Sequence, residues 1–172
     1  MPVYGELTEY SYHRSKAFRP GTQNVGWLGV GHEFERAKPP EDILQIVWEH
    51  CKISVAYMRG IHRCEFCDDV SYYAERNGEH LLLGAAEIRV FSPSGEIFAA
   101  PTLIYHYMKA HHYLPPDEFI NALYEGPRPG SQEYFDRFKE LGLEWTKTSA
   151  PAVKTAWFRY DPLGSQRLEA AE

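Results

Sequence analysis

Residues 59–67 read RGIHRCEFC, and residues 100–113 read APTLIYHYMKAHHY. The first stretch, called the knuckle below, carries the pair Cys64 and Cys67, and the second carries three histidines on a predicted helix. Between them, residues 87–91 and 96–99 predict a β-hairpin that turns at Ser-Pro-Ser-Gly. A cysteine pair, a hairpin and a histidine-bearing helix, in this order, are the layout of a small Cys₂His₂ zinc site. The two stretches therefore predict an α+β fold in which a bound metal ion links the knuckle to the helix.

Four residues are the predicted zinc ligands. Zinc in proteins takes four Cys or His ligands in a tetrahedron, and Cys64, Cys67 and His106 supply three of them. The fourth is His111 or His112, since both spacings from His106 occur on zinc-binding helices. Residues five apart on an ideal helix diverge by roughly 140°, so the last helical turn has to tighten or unwind. We prefer His111.

Other residues leave alternatives open. His62 stands two positions before Cys64 and is a candidate ligand or a neighbour that orients one, and His80 is a weaker candidate. Without a metal, the same residues would be two buried thiols and two ordinary histidines. The third cysteine, Cys51, lies on a predicted buried helix and is expected in the core.

The residues at and near the predicted metal site also indicate whether a bound zinc is catalytic or structural. A catalytic zinc keeps one position for water and has a nearby Glu or His as base. The sequence offers four good protein ligands and lacks His-Glu-x-x-His, although Glu65, Glu87 or Glu96 could lie near the site. We therefore expect a structural zinc, and a small metal-dependent hydrolase is the alternative.

Length and charge restrict the other function classes. A chain of 172 residues predicts one domain, which we place at residues 1–165 with a frayed tail at 166–172. The net charge of −6 without a Lys/Arg run disfavours nucleic acid as a partner, so a nucleic-acid-binding zinc finger is only the second alternative. Three cysteines, no signal peptide and no apolar run of about 20 residues predict a cytoplasmic protein without a membrane segment.

The rest of the chain predicts three to four helices and a short antiparallel sheet. Helices should begin near residues 41, 102, 117 and 131, and strands are expected at residues 81–91 and 155–160. Residues 53–57 fit either a strand or a continuation of the first helix. Trp48 and the helix carrying Phe135 and Phe138 are expected to share a core.

These blocks resemble a family of small uncharacterised bacterial proteins. Its pattern looks like Asn-Val-Gly-Trp-Leu, Arg-Gly-x-His-x-Cys-x-Phe-Cys, Ala-Pro-x-Leu-Ile-x-His-Tyr and His-x-Tyr-x-Pro-Pro-x-Glu-Phe. Here these blocks fall at residues 24–28, 59–67, 100–107 and 111–119. The resemblance covers residues 24–123 and favours His111, because His112 falls at a variable position. It implies no established activity, although members look like proteins of the immunity or accessory kind.

We therefore expect a zinc-binding protein that acts as a protein-binding module rather than as an enzyme. The resemblance suggests the toxin-immunity type. The acidic net charge and the 12 Tyr residues suit a surface that contacts another protein.

Overall fold

A computed structural model describes residues 2–12, 17–67 and 73–147. The strands are β1 (Thr22–Asn24), β2 (Ile53–Val55), β3 (Tyr73–Arg76), β4 (Glu79–Leu82), β5 (Glu87–Phe91), β6 (Ile97–Pro101) and β7 (Trp145–Lys147). The helices are α1 (Glu41–Cys51), α2 (Ile104–His111), α3 (Asp117–Glu125) and α4 (Gln132–Glu140). The α+β fold with four helices is as predicted. The strand expected at 155–160 and the tail at 166–172 lie outside the described residues.

The main sheet has five strands in the order β1-β6-β5-β2-β7. The predicted hairpin, β5 and β6, forms its centre, and residues 53–55 form a strand rather than extending α1. The sheet is antiparallel except at one edge, where β1 runs parallel to β6. The strand expected at 81–91 is interrupted, so that β4 pairs with β3 in a separate ribbon and β5 enters the sheet.

Both faces of the central hairpin are buried. Because side chains alternate along a strand, Ile88 and Val90 of β5 join one apolar cluster and Phe91 joins another. Trp48 of α1 lies in the first cluster, whereas Phe138 of α4 lies in the second. The prediction that Trp48 and the α4 aromatics share one core is therefore wrong, because the sheet stands between them.

Local sequence signals determine where helices α1 and α4 begin. Helix α1 begins after Pro39-Pro40 with Glu41 and Asp42 in its first turn, where acidic side chains favour the helix dipole. Helix α4 begins at the cap Ser131, whose hydroxyl accepts a hydrogen bond from the Tyr134 N–H at 3.1 Å. These boundaries agree with the sequence predictions.

Residues 83–86, between β4 and β5, form backbone hydrogen bonds with both stretches that carry the predicted metal ligands. The Gly84 carbonyl accepts a hydrogen bond from the His62 N–H of the knuckle at 2.9 Å. The Gly84 N–H donates to the hydroxyl of Thr102, two residues before α2, at 2.9 Å. The Thr102 N–H donates in turn to the Ala86 carbonyl at 2.9 Å. One short loop therefore fixes the knuckle and the start of α2 relative to each other.

We expect Gly84→Ala to lower the free energy of unfolding by about 3 kcal/mol, measured by equilibrium urea denaturation. Gly84 has a φ of +81°, and a Cβ there would collide with the His62 carbonyl oxygen. The matched control is Gly60→Ala, within the knuckle, where a Cβ would meet no atom within 4 Å. An equal effect of the two substitutions would contradict the role assigned to Gly84.

Candidate metal centre

The structure brings the four predicted ligands together. One donor atom from each of Cys64, Cys67, His106 and His111 lies within 4.8 Å of all the others. This set is the same as the set preferred from the sequence, and it joins the knuckle to α2. The group could hold one metal ion.

The end of α2 explains why His111 rather than His112 joins the group. The N–H groups of His112 and Tyr113 both donate to the Tyr107 carbonyl, and His112 takes a left-handed φ of 56°. The bond from His112 spans five residues instead of four, so the last turn is wider than an α-helical turn. This unwinding brings the Nε2 atoms of His106 and His111 to 3.2 Å from each other.

The spacing of the donors fits a tetrahedral zinc ion. With usual zinc–ligand distances, two nitrogens on a tetrahedron lie about 3.3 Å apart, and a sulfur and a nitrogen about 3.6 Å apart. Here Cys64 Sγ lies 3.1 Å from His111 Nε2, and Cys67 Sγ lies 3.4 Å from His106 Nε2. Two thiolates with two imidazoles in this arrangement are typical of zinc rather than of hard cations.

Aromatic packing holds the knuckle against α2. The Phe66 ring lies edge-on to Tyr107 and His111 of α2, at centroid distances of 5.8 and 5.5 Å, and to Phe34 at 5.4 Å. The Phe66 N–H also donates to Cys64 Sγ at 3.4 Å. Phe66 therefore fixes both the sulfur and the imidazole that faces it.

The local environment shifts the pKa values of two candidate ligands. Burial raises the pKa of the Cys64 thiol to about 11, against the opposing effect of the Phe66 N–H. Burial lowers the pKa of His111, and the nearby Arg36 and His112 lower it further. A neutral imidazole is the form that binds a metal, whereas the thiol has to release its proton on binding.

The three acids considered as catalytic bases have other partners. Glu65 accepts a hydrogen bond from the Val30 N–H at 3.1 Å, and Glu96 accepts one from the Ser94 hydroxyl at 3.0 Å. Glu87 is buried on the far face of the sheet, where it pairs with Arg89 at 2.7 Å. None of them belongs to the group of donors.

The remaining candidate ligands lie outside the group. His62 contributes its backbone N–H to Gly84, and His80 faces the Glu75 carboxylate at 3.7 Å on the β3–β4 ribbon. Cys51 is buried in the core as predicted, with its thiol 3.7 Å from the Thr102 carbonyl.

Sequence reasoning missed Gly84 and Thr102, which position the two halves of the centre. A single glycine inside the strand-like run from Leu81 to Phe91 was the available signal, since such a glycine marks a bulge or a close backbone approach. Nothing in the sequence indicated that the Thr102 hydroxyl accepts a backbone N–H.

No helix in the described part of the chain has the length and apolar character needed to cross a membrane. No curated protein and no solved structure matches the chain. A family model described as a domain of unknown function (DUF7919) matches residues 2–124, a range that includes all four candidate ligands. The match spans more than half of the chain, which therefore belongs to the DUF7919 family.

Proposed function

We propose that Cys64, Cys67, His106 and His111 bind one zinc ion and that this ion is structural. The observation that carries the proposal is the group of two sulfurs and two nitrogens, spaced like the corners of a tetrahedron. Four protein ligands complete the coordination of zinc, so no position remains for the water that a catalytic zinc needs.

The ion would close a long loop. Cys67 and His106 are separated by 38 residues, and ordering such a loop has an entropic cost. Binding energy at the four ligands offsets this cost, so metal binding adds to the free energy of unfolding. The two apolar clusters on either side of the sheet do not involve the zinc ligands directly, apart from Cys64 at the edge of one. Loss of the ion should therefore loosen the knuckle without unfolding the whole chain.

We propose that the zinc-bound domain binds another protein through the surface around the knuckle. Two exposed aliphatic side chains flank the knuckle ligands. Val30 is 67% exposed and its N–H is bonded to Glu65, and Ile61 is 40% exposed and stands three residues before Cys64. A chain with a net charge of −6 favours a partner with a basic surface. The toxin-immunity role and the cytoplasmic location stay predictions.

The first prediction from this proposal is one zinc ion per chain in protein purified without chelator, measured by elemental mass spectrometry. The double substitution Cys64→Ser, Cys67→Ser removes two of four ligands and should lower the zinc content to below about a tenth per chain. Cys51→Ala is the matched control, since Cys51 lies outside the group, and it should keep one zinc. Equal zinc content in the double variant and the control would refute the ligand assignment.

The second prediction separates a structural zinc from a catalytic one. Removing the ion with a strong chelator, or removing one ligand by His106→Ala, should lower the melting temperature by about 6–12 °C, as expected for a loss of about 3 kcal/mol. Zinc added back should restore the melting temperature of the wild type. His80→Ala, outside the donor group, should melt like the wild type.

The hydrolase alternative makes the opposite prediction for the same samples. A zinc-free protein with an unchanged melting temperature that loses hydrolysis of p-nitrophenyl phosphate or p-nitrophenyl acetate would show a catalytic site. That result would replace the structural assignment.

The third prediction tests the protein-binding role. Proteins that co-purify with the tagged wild type from its own cells should be lost with Ile61→Asp, because a charge at an apolar contact cannot be desolvated cheaply. Asn121→Asp adds the same charge at an exposed position of α3 and should keep them. Partners retained equally by both variants, or no protein above a tag-only sample, would rule out binding through this face.

A further inference from the structure

We propose that a second site, a groove on the side of α2 next to His112, binds a small molecule through a phosphate or carboxylate group. The groove has a volume of about 410 Å³ and lies between the segment before α1, the end of α2 and the turn of the β3–β4 ribbon. This volume suits a small ligand. None of the four candidate zinc ligands lines it.

A fixed guanidinium lies in the wall of the groove. The side chain of Arg76 is only 10% exposed. Its Nε donates to the Gln45 side-chain oxygen at 2.6 Å, and one terminal nitrogen donates to the Tyr105 hydroxyl at 3.4 Å. Two helices, α1 and α2, therefore hold this positive charge in place before any ligand arrives. A preorganised guanidinium is well suited to an oxyanion, which it can contact with two parallel hydrogen bonds.

The other terminal nitrogen of Arg76 donates to the Glu41 backbone carbonyl at 3.4 Å and to the Glu41 carboxylate, which an arriving anion can replace. The second terminal nitrogen of Arg76 lies 2.6 Å from the carboxylate of Glu41, whose side chain is 78% exposed. Because the Glu41 side chain is exposed, water can solvate its carboxylate when it moves away, and the arriving anion then pairs with Arg76 in its place. Glu41 therefore occupies the position that a ligand oxyanion would take, at little cost to the fold when it moves away.

Two lysines add positive charge at the groove. Lys38 lies on the segment before α1 and Lys109 on the last turn of α2, and both line the groove. Within the described residues, neither has a carboxylate at ion-pair distance. The Lys109 ammonium lies over the Tyr105 ring at 5.8 Å, the same tyrosine that accepts a hydrogen bond from Arg76. Tyr105 thus contacts two of the three cationic side chains at the groove, Arg76 and Lys109.

The balance of charge in the groove is opposite to that of the chain. Lys38, Arg76 and Lys109 face two acids, Glu41 and Glu75, and the Glu75 carboxylate is also 3.7 Å from the His80 ring. The groove is therefore locally positive although the chain has a net charge of −6. Buried apolar residues, Pro39 and Leu44, also line it and would contact the uncharged part of a ligand.

The test is a titration of the zinc-loaded protein with inorganic phosphate and, separately, with succinate, at constant ionic strength. Backbone amide chemical shifts should change saturably around the groove, with a dissociation constant at or below about 1 mM for at least one of the two anions. The anion that binds more tightly identifies the phosphate or the carboxylate class. Absence of saturation for both anions at about 20 mM, or shifts that centre elsewhere, would overturn the proposal.

Charge-matched variants distinguish a site from general electrostatics. The double substitution Lys38→Gln, Lys109→Gln should raise the dissociation constant of the more tightly bound anion by at least about tenfold. Lys139→Gln with Lys147→Gln changes the net charge equally at exposed positions on α4 and β7, and should leave binding within about twofold. Equal weakening in the two double variants would overturn the proposal.

A substitution at Glu41 should have the opposite effect on anion affinity from the lysine substitutions. Glu41→Gln removes the carboxylate that competes for Arg76, so it should tighten anion binding about threefold or more. Glu144→Gln, at an exposed position before β7, is the control for the change in net charge and should have little effect. Weaker binding in Glu41→Gln would show that Arg76 does not receive the anion.

Discussion

The candidate metal centre depends on two backbone hydrogen bonds of Gly84, one to the His62 N–H and one to the Thr102 hydroxyl. These bonds join the knuckle to the start of α2. Only glycine fits this position, because φ is +81° and the His62 carbonyl occupies the place of a Cβ. These bonds hold the knuckle against α2, so they reduce the part of the loop-closure cost that metal binding would have to offset.

The loop that carries Gly84 is itself supported by a sheet buried on both faces. Strand β5 follows directly, and on its far face the buried pair Glu87–Arg89 is joined by the Tyr10 hydroxyl, which donates to Glu87 at 2.8 Å. Tyr134 of α4 donates to the Arg89 carbonyl at 2.7 Å and lies 3.3 Å from His50 Nδ1. Burial lowers the pKa of His50 to about 3, so this histidine stays neutral at physiological pH. Apolar clusters on both faces of the sheet thus support the loop that contacts the knuckle and the start of α2.

The elements predicted from the sequence are those that local signals determine. The β5–β6 hairpin, the starts of α1 and α4 and the order of cysteine pair, hairpin and histidine helix each depend on residues close in sequence. The parallel pairing of β1 with β6, the ribbon of β3 with β4 and the separation of Trp48 from Phe138 depend on contacts between distant segments. Hydrophobic periodicity shows that a residue is buried, but it does not show on which face of a sheet. Gly84 was missed for the same reason, since its function is a contact with a residue 22 positions earlier.

The last turn of α2 connects the candidate metal centre and the groove, because its widening places His111 among the donors and His112 at the edge of the groove. This turn is fixed on several sides. The His112 carbonyl accepts a hydrogen bond from the Ala37 N–H at 2.9 Å, and the Tyr113 hydroxyl donates to Glu6 at 2.7 Å. A ligand in the groove could alter the candidate metal centre only by moving this turn, and to do so it would have to break those bonds as well. A change that breaks both hydrogen bonds at once needs more free energy than a weakly bound small anion supplies. The two sites therefore share a helix but should bind their ligands independently.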